Sequence, residues 1–170
     1  MREKMHNIVF YCIVALIGIL LFYWLKNADD DIIRILLLPH ARLTEIYYNT
    51  SLIYINGIGY SSINGTFAIG RKCIGGNFII MMFGMTSCLF AKHFKDASKL
   101  LWLITSLLLS IVVGILISSI RIIGSIPFVT YSKFALLHSG IGISLYFFAL
   151  TVSYAILKKV FRSEKSEKSI

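Results

Sequence analysis

At 170 residues and 57% hydrophobic, the chain is more apolar than the roughly 45–50% of a soluble domain. Its apolar residues gather in long charge-free runs, which excludes an ordinary water-soluble fold. The formal net charge of +9 falls between and beyond those runs, with no basic stripe interleaved with aromatics, so it speaks for membrane topology and against a nucleic-acid partner.

The first run, Ile8–Leu25, is 18 residues without a charge, preceded by Arg2 and Lys4. It is too long for a signal-peptide core and ends on Tyr23-Trp24, an interfacial aromatic pair, so an uncleaved first helix is expected. Gly75–Ala91 is the second run, Leu100–Ile120 the third, closed by Arg121, and Phe134–Leu157 the fourth, interrupted only by His138. Between the first two, Ile32–Leu38 is apolar but carries Arg34 and meets Pro39. A short interfacial or re-entrant helix stopping at the proline is expected there, its positive end faced by Asp29, Asp30 and Asp31. Leu52–Gly70 holds Asn56-Gly57 and Asn64-Gly65 among β-branched and aromatic residues, the signature of a small extracytoplasmic hairpin. The fold class is therefore an all-α integral membrane protein. It forms one polytopic domain over residues 1–161 with a disordered cytoplasmic tail over 162–170.

The positive-inside rule orients this arrangement. With both termini in the cytoplasm, the inner segments hold Arg2, Lys4, Lys92, Lys95, Lys99, Lys158, Lys159, Arg162, Lys165 and Lys168. The longer outer segments hold only Lys26, Arg34, Arg42, Arg71, Lys72, Arg121 and Lys133. The plasma (inner) membrane is the expected location. Cys73, Arg121 and His138 then lie at the outer ends of three helices, at one depth. Cys88 is about 22 Å from Cys73 along a helix, too far to join that site or form a disulfide with it, and Cys12 falls toward the inner half of its own helix. With three cysteines in no metal-binding spacing, neither a zinc centre nor a disulfide framework is expected.

A thiol at a helix start, beside cations and an imidazole, is equipped to be a nucleophile. Arg121 at that depth suits a developing oxyanion, Gly75 and Gly76 suit the close approach of a substrate backbone, and Asn77 suits a hydrogen bond in the site. Each residue also has a plainer reading. The cysteine is a small packed residue, the arginine a snorkelling anchor, and the histidine and Asn77 serve helix packing. His40 is either a second outer-face base or, the preferred reading, an interfacial residue, and His93 is a cytoplasmic bystander. Asn49-Thr50-Ser51 and Asn64-Gly65-Thr66 match glycosylation acceptors, a pattern common by chance. No phosphate loop, metal cluster or paired carboxylates appear, so no cofactor or metal is expected.

Three strings carry a resemblance: Arg71-Lys72-Cys73-Ile74-Gly75-Gly76-Asn77-Phe78, Ser118-Ser119-Ile120-Arg121-Ile122, and His138-Ser139-Gly140-Ile141-Gly142. In order and position they resemble the signature blocks of the exosortase/archaeosortase family, and the short chain resembles its exosortase K type. The likeness runs from about Ile35 to Phe148. It implies an integral-membrane cysteine transpeptidase or protease acting on C-terminal sorting signals of exported proteins, each a motif, an apolar helix and a basic tail. Cys73 would be the nucleophile, His138 the general base and acid, and Arg121 the transition-state stabiliser. Ile74 and Ser118 depart from the family's usual small residue and Asn, with Ser118 keeping a hydrogen bond that can orient Arg121. The alternative is a non-enzymatic membrane module, a transporter subunit or assembly partner. Transporters place polar residues near the midplane of broken helices, whereas here polarity sits at one end.

Overall fold

A computed structural model describes residues 2–91 and 96–167, with side chains for 7–91 and 98–162. Lys92, His93 and Lys95 lie outside the described residues. The helices are α1 (Arg2–Asn27), α2 (Asp30–Tyr48), α3 (Gly76–Phe90), α4 (Asp96–Ser125) and α5 (Phe134–Glu167), and the strands are β1 (Leu52–Ile55), β2 (Gly59–Ser62) and β3 (Ala68–Ile69). Among the described residues, four helical stretches are long and apolar enough to cross a bilayer, at Asn7–Asn27, Arg71–Phe90, Ser98–Phe128 and Phe134–Arg162. The chain is a multi-pass, all-α membrane protein.

Several boundaries move outward from the sequence expectation. α4 does not end at Arg121 but continues to Ser125, because that arginine is buried against neighbours and has no need to reach water. α5 runs to Glu167, so the tail expected to be disordered is helical over residues 162–167, a stretch of serine, glutamate and lysine that continues an existing helix at little cost. Residues 168–170 lie outside the described residues.

The largest correction concerns α2. It does not stop at Pro39 but passes through it for 19 residues. A proline inside a helix forfeits one backbone hydrogen bond and crowds the carbonyl four residues back, a cost of about 3 kcal/mol. The offset is tertiary: Ile33, Leu37, His40, Ala41 and Thr44 form one buried face, and Ile33, Leu37 and Ala41 share a core cluster with Ile69, Ile74 and Ile122. At about 25 cal/mol per Å2, burying each large aliphatic side chain contributes about 1.5–3 kcal/mol. Asp30 and Asp31 occupy the first turn, where the helix dipole favours them, and Asn49 closes the helix in the left-handed region with φ 47°.

The expected hairpin is present and gains a third strand. β1 pairs antiparallel with β2 from Leu52↔Ser62 to Ile55↔Gly59, and β2 pairs with β3. Asn56-Gly57 and Asn64-Gly65 occupy the two turns. The sheet is tied to α2 by the Tyr54 hydroxyl donating to the Asp30 carbonyl at 2.9 Å and by Leu52 N–H donating to Glu45 Oε1 at 2.8 Å. β3 thereby delivers the chain to the 3-10 turn Arg71–Cys73.

Small residues set how closely α3 meets α4. Ser106, Ser110, Gly114 and Ser118 recur every fourth residue along α4, one stripe of the helix. A side chain at Gly114 would collide with Ile79 of α3, and Ser87 Oγ lies 2.7 Å from Ser106 Oγ. Small contact residues with hydroxyl cross-links are how membrane helices pack where apolar burial offers no drive. Away from the site, Lys99 Nζ donates to Asn7 Oδ1 at 2.9 Å, joining α4 to α1.

Candidate active site at one end of the helices

The 3-10 turn ends on Cys73, whose N–H donates to the Gly70 carbonyl at 2.8 Å. Gly75 then starts α3 with φ 74°. A side chain there would overlap Ser118 Oγ and come 3.3 Å from the Tyr146 hydroxyl. Position 75 is therefore glycine on two counts, a left-handed backbone and a helix contact without room for Cβ. Gly76 is pressed similarly, its would-be Cβ 2.6 Å from Leu25 Cδ1 of α1. The glycine pair fixes the cysteine turn onto two helices.

Arg121 is the hub. It is 8% exposed, which disposes of the snorkelling reading. Its Nη2 donates to the Lys72 carbonyl at 3.1 Å, and its charge acts on the neighbouring Cys73 thiol. The cation also stands over the Tyr146 ring, 5.2 Å from the centroid. Gly142 of α5 supplies the clearance, since a Cβ there would come 2.9 Å from Arg121 Cδ. Tyr146 in turn stacks on Phe78 at 4.6 Å between centroids, and its hydroxyl lies 3.2 Å from Ser118 Oγ. Ser118 is fully buried and reaches Arg121 only through that tyrosine, where a direct hydrogen bond was expected.

Two imidazoles flank the arginine, each held by a serine of α4. His138 Nδ1 lies 3.0 Å from Ser125 Oγ, and Ser125 spends its own proton on the Ile122 carbonyl. His40 Nδ1 lies 2.8 Å from Ser119 Oγ, and Ser119 donates to the Ile115 carbonyl. A hydroxyl already donating can only accept from the ring, so both histidines carry the proton on Nδ1 and present a bare Nε2. The charge of Arg121 acts on both rings. His40 is wholly buried and its Nε2 has no hydrogen-bond partner among the described residues, which overturns the interfacial reading. Burial first, and the positive Arg121 second, push its pKa from 6.5 down to about 4.

Arg121 is thus hydrogen-bonded to the peptide carbonyl that precedes Cys73, and its charge acts on both the Cys73 thiol and the His138 ring. Among the described residues no hydrogen bond joins His138 to Cys73; its partner is Ser125. Arg71, expected to help the thiol, instead donates to the carbonyls of Lys26 and Ala28 at 2.8 and 2.6 Å. Gly75, Gly76 and the exposed Asn77 line a cavity of about 250 Å3 with Arg121 and Tyr146. Cys73 and His138 are not among its lining residues. Cys88 packs between α1 and α3 and Cys12 is exposed on α1.

The sequence reading missed Tyr146, Ser119 and Ser125, and set His40 aside. The two serines lie at offsets −2 and +4 from Arg121, a signal visible only once α4 is known to continue past the arginine. Chemically, a thiol beside a fixed cation, with two imidazoles near that cation, can hold a developing negative charge and move a proton. No family model, curated protein or solved structure matches this chain.

Proposed function

We propose that the chain is a membrane-embedded cysteine transpeptidase or protease of exosortase-like type, acting on C-terminal sorting signals of exported proteins. The observation that carries this reading is the buried Arg121 guanidinium held by hydrogen bond on the Lys72 carbonyl, the peptide link to Cys73. The positive-inside balance puts the site at the outer face of the plasma membrane, with both termini cytoplasmic.

In this mechanism Cys73 gives its proton to the free Nε2 of His138 and the thiolate attacks a peptide carbonyl carbon. The tetrahedral oxyanion forms beside Arg121, a preorganised donor of the kind worth about 100- to 1,000-fold in rate. Collapse breaks the C–N bond, the leaving amine takes the proton from His138, and a thioester remains on Cys73. An amine, a hydroxyl or water then attacks that thioester, losing its proton to His138, and the returning thiolate recovers it. Ser125 keeps Nε2 in its basic form, and Tyr146 with Gly142 holds the guanidinium in place. The substrate's apolar helix would lie in the bilayer beside α3 to α5.

Processing of an exported protein with a motif, an apolar helix and a basic tail is the test. Cys73→Ala is expected to abolish it and Cys88→Ala to leave it intact. Equal effects, or none, would sink the enzyme reading in favour of a non-enzymatic module.

A further inference from the structure

The cavity of about 250 Å3 has an electrostatic character that cysteine chemistry does not use. Four of its lining residues are basic, Lys26, Arg71, Lys72 and Arg121, and none is acidic. Among the described residues, none of the four is in an ion pair. Arg71 and Arg121 are fixed by backbone carbonyls, which orient a guanidinium without cancelling its charge. Arg121 is more than nine-tenths buried, and its Nε–H has no acceptor among the described residues. A buried, charged donor left unpaired carries a desolvation cost, and an anion in the cavity removes it. The start of the 15-residue α3 opens on the same space through Gly76, Asn77 and Phe78, with no side chain capping its first N–H groups. Uncapped helix N-termini bind phosphate through those groups.

The other wall is apolar. Phe22 and Leu25 of the spanning helix α1 line it, and Phe22 is half-exposed on the outside of the bundle. A free anion has no use for that wall, whereas an amphiphile uses both. We propose that the cavity binds the phosphate headgroup of an anionic phospholipid, with its acyl chains descending along Phe22 and Leu25. The basic residues match the charge of such a headgroup and the apolar wall matches its chains. Arg121 serves both this site and the proposed reaction, so the test reads binding alone and changes only the side chains of Lys26 and Lys72, which the reaction does not use.

The full chain in mild detergent is titrated with phosphatidylglycerol or with phosphatidylcholine, and bound lipid is counted by native mass spectrometry. Phosphatidylglycerol is expected to bind the unaltered protein in preference. Lys26→Gln with Lys72→Gln should weaken it about 30-fold, the factor for two lysine–headgroup attractions, and leave phosphatidylcholine unchanged. Lys158→Gln with Lys159→Gln, at the far end of α5, should leave phosphatidylglycerol binding as it was. Equal retention of the two lipids by the unaltered protein overturns the proposal, and that arm decides even if the double exchange does not fold. Unweakened binding in a folded Lys26/Lys72 double exchange also overturns it. Displacement of bound lipid by millimolar inorganic phosphate would do the same by assigning the cavity to free phosphate.

Discussion

Acid is the sharpest probe of the buried imidazole on α2. In the folded protein His40 stays neutral down to about pH 4, held there by burial and by the neighbouring Arg121. In the unfolded chain it protonates near 6.5. Between those values the unfolded state takes up a proton that the folded state refuses. The contribution of His40 is therefore fully present above pH 6.5 and drains away as the pH falls toward 4. The full difference amounts to about 3 kcal/mol. The ring's hydrogen bond is to Ser119, and the charge acting on it is that of Arg121. Denaturant unfolding in mild micelles, followed by tryptophan fluorescence at half-unit steps from pH 7 to 4, reads this directly. His40→Gln keeps an amide donor for Ser119 and removes this titration, so its stability should fall less steeply than the parent's over the same window, by up to about 3 kcal/mol at the acid end. An acid slope in His40→Gln equal to that of the parent would refute the burial argument, as would a parent with no slope.

Gly75→Ala forces a side chain into the left-handed region at about 1–2 kcal/mol and into Ser118 as well, so thermal unfolding should show a loss of at least that size and Cys73 should alkylate faster. Tyr146→Phe removes only the 3.2 Å contact to Ser118 and should cost about 1 kcal/mol or less; Tyr146→Ala also removes the platform under Arg121, and processing should fall far more steeply. Arg121→Lys keeps the charge but loses the planar fork, so turnover is expected to drop about 100-fold while the protein still inserts and folds, as measured by processing and by detergent-solubilised yield. Ser125→Ala frees the His138 tautomer and should lower turnover without changing the amount of folded protein; an unchanged rate removes the serine from the mechanism.

Much of the architecture was readable because lipid is a strict solvent. Four charge-free runs announce four spans, and the distribution of lysine and arginine places Cys73, Arg121 and His138 at one end before any coordinate is known. The glycine pair at 75–76 was legible as a place of close approach, but its neighbours proved to be Ser118, Tyr146 and Leu25 of the protein itself. α2 was misread because Pro39 is a strong local stop and because the buried face from Ile33 to Thr44 includes His40, which breaks the apolar pattern. The helical period is there at Ile33, Leu37, His40 and Thr44; only packing against α4 reveals that the two polar members belong to it. Tyr146 gave no signal, since an aromatic in an apolar helix looks like any other. Its role depends on which residue of a different helix lies above it.

Arg71 gives the cysteine turn a second attachment with a mechanical consequence. Its guanidinium grips the carbonyls of Lys26 and Ala28, so the last turn of α1 and the turn carrying Cys73 move as one piece. The uncharged stretch of α1 is about 27 Å long, close to the thickness of a bilayer's hydrocarbon core, and a helix answers a thicker or thinner membrane by changing its tilt. Tilting α1 swings its gripped end, and with it the thiol. Lipid chain length thereby becomes a dial on the reactivity of Cys73, readable as a change in its alkylation rate across vesicles of graded thickness, and absent from the same series once Arg71→Gln releases the grip.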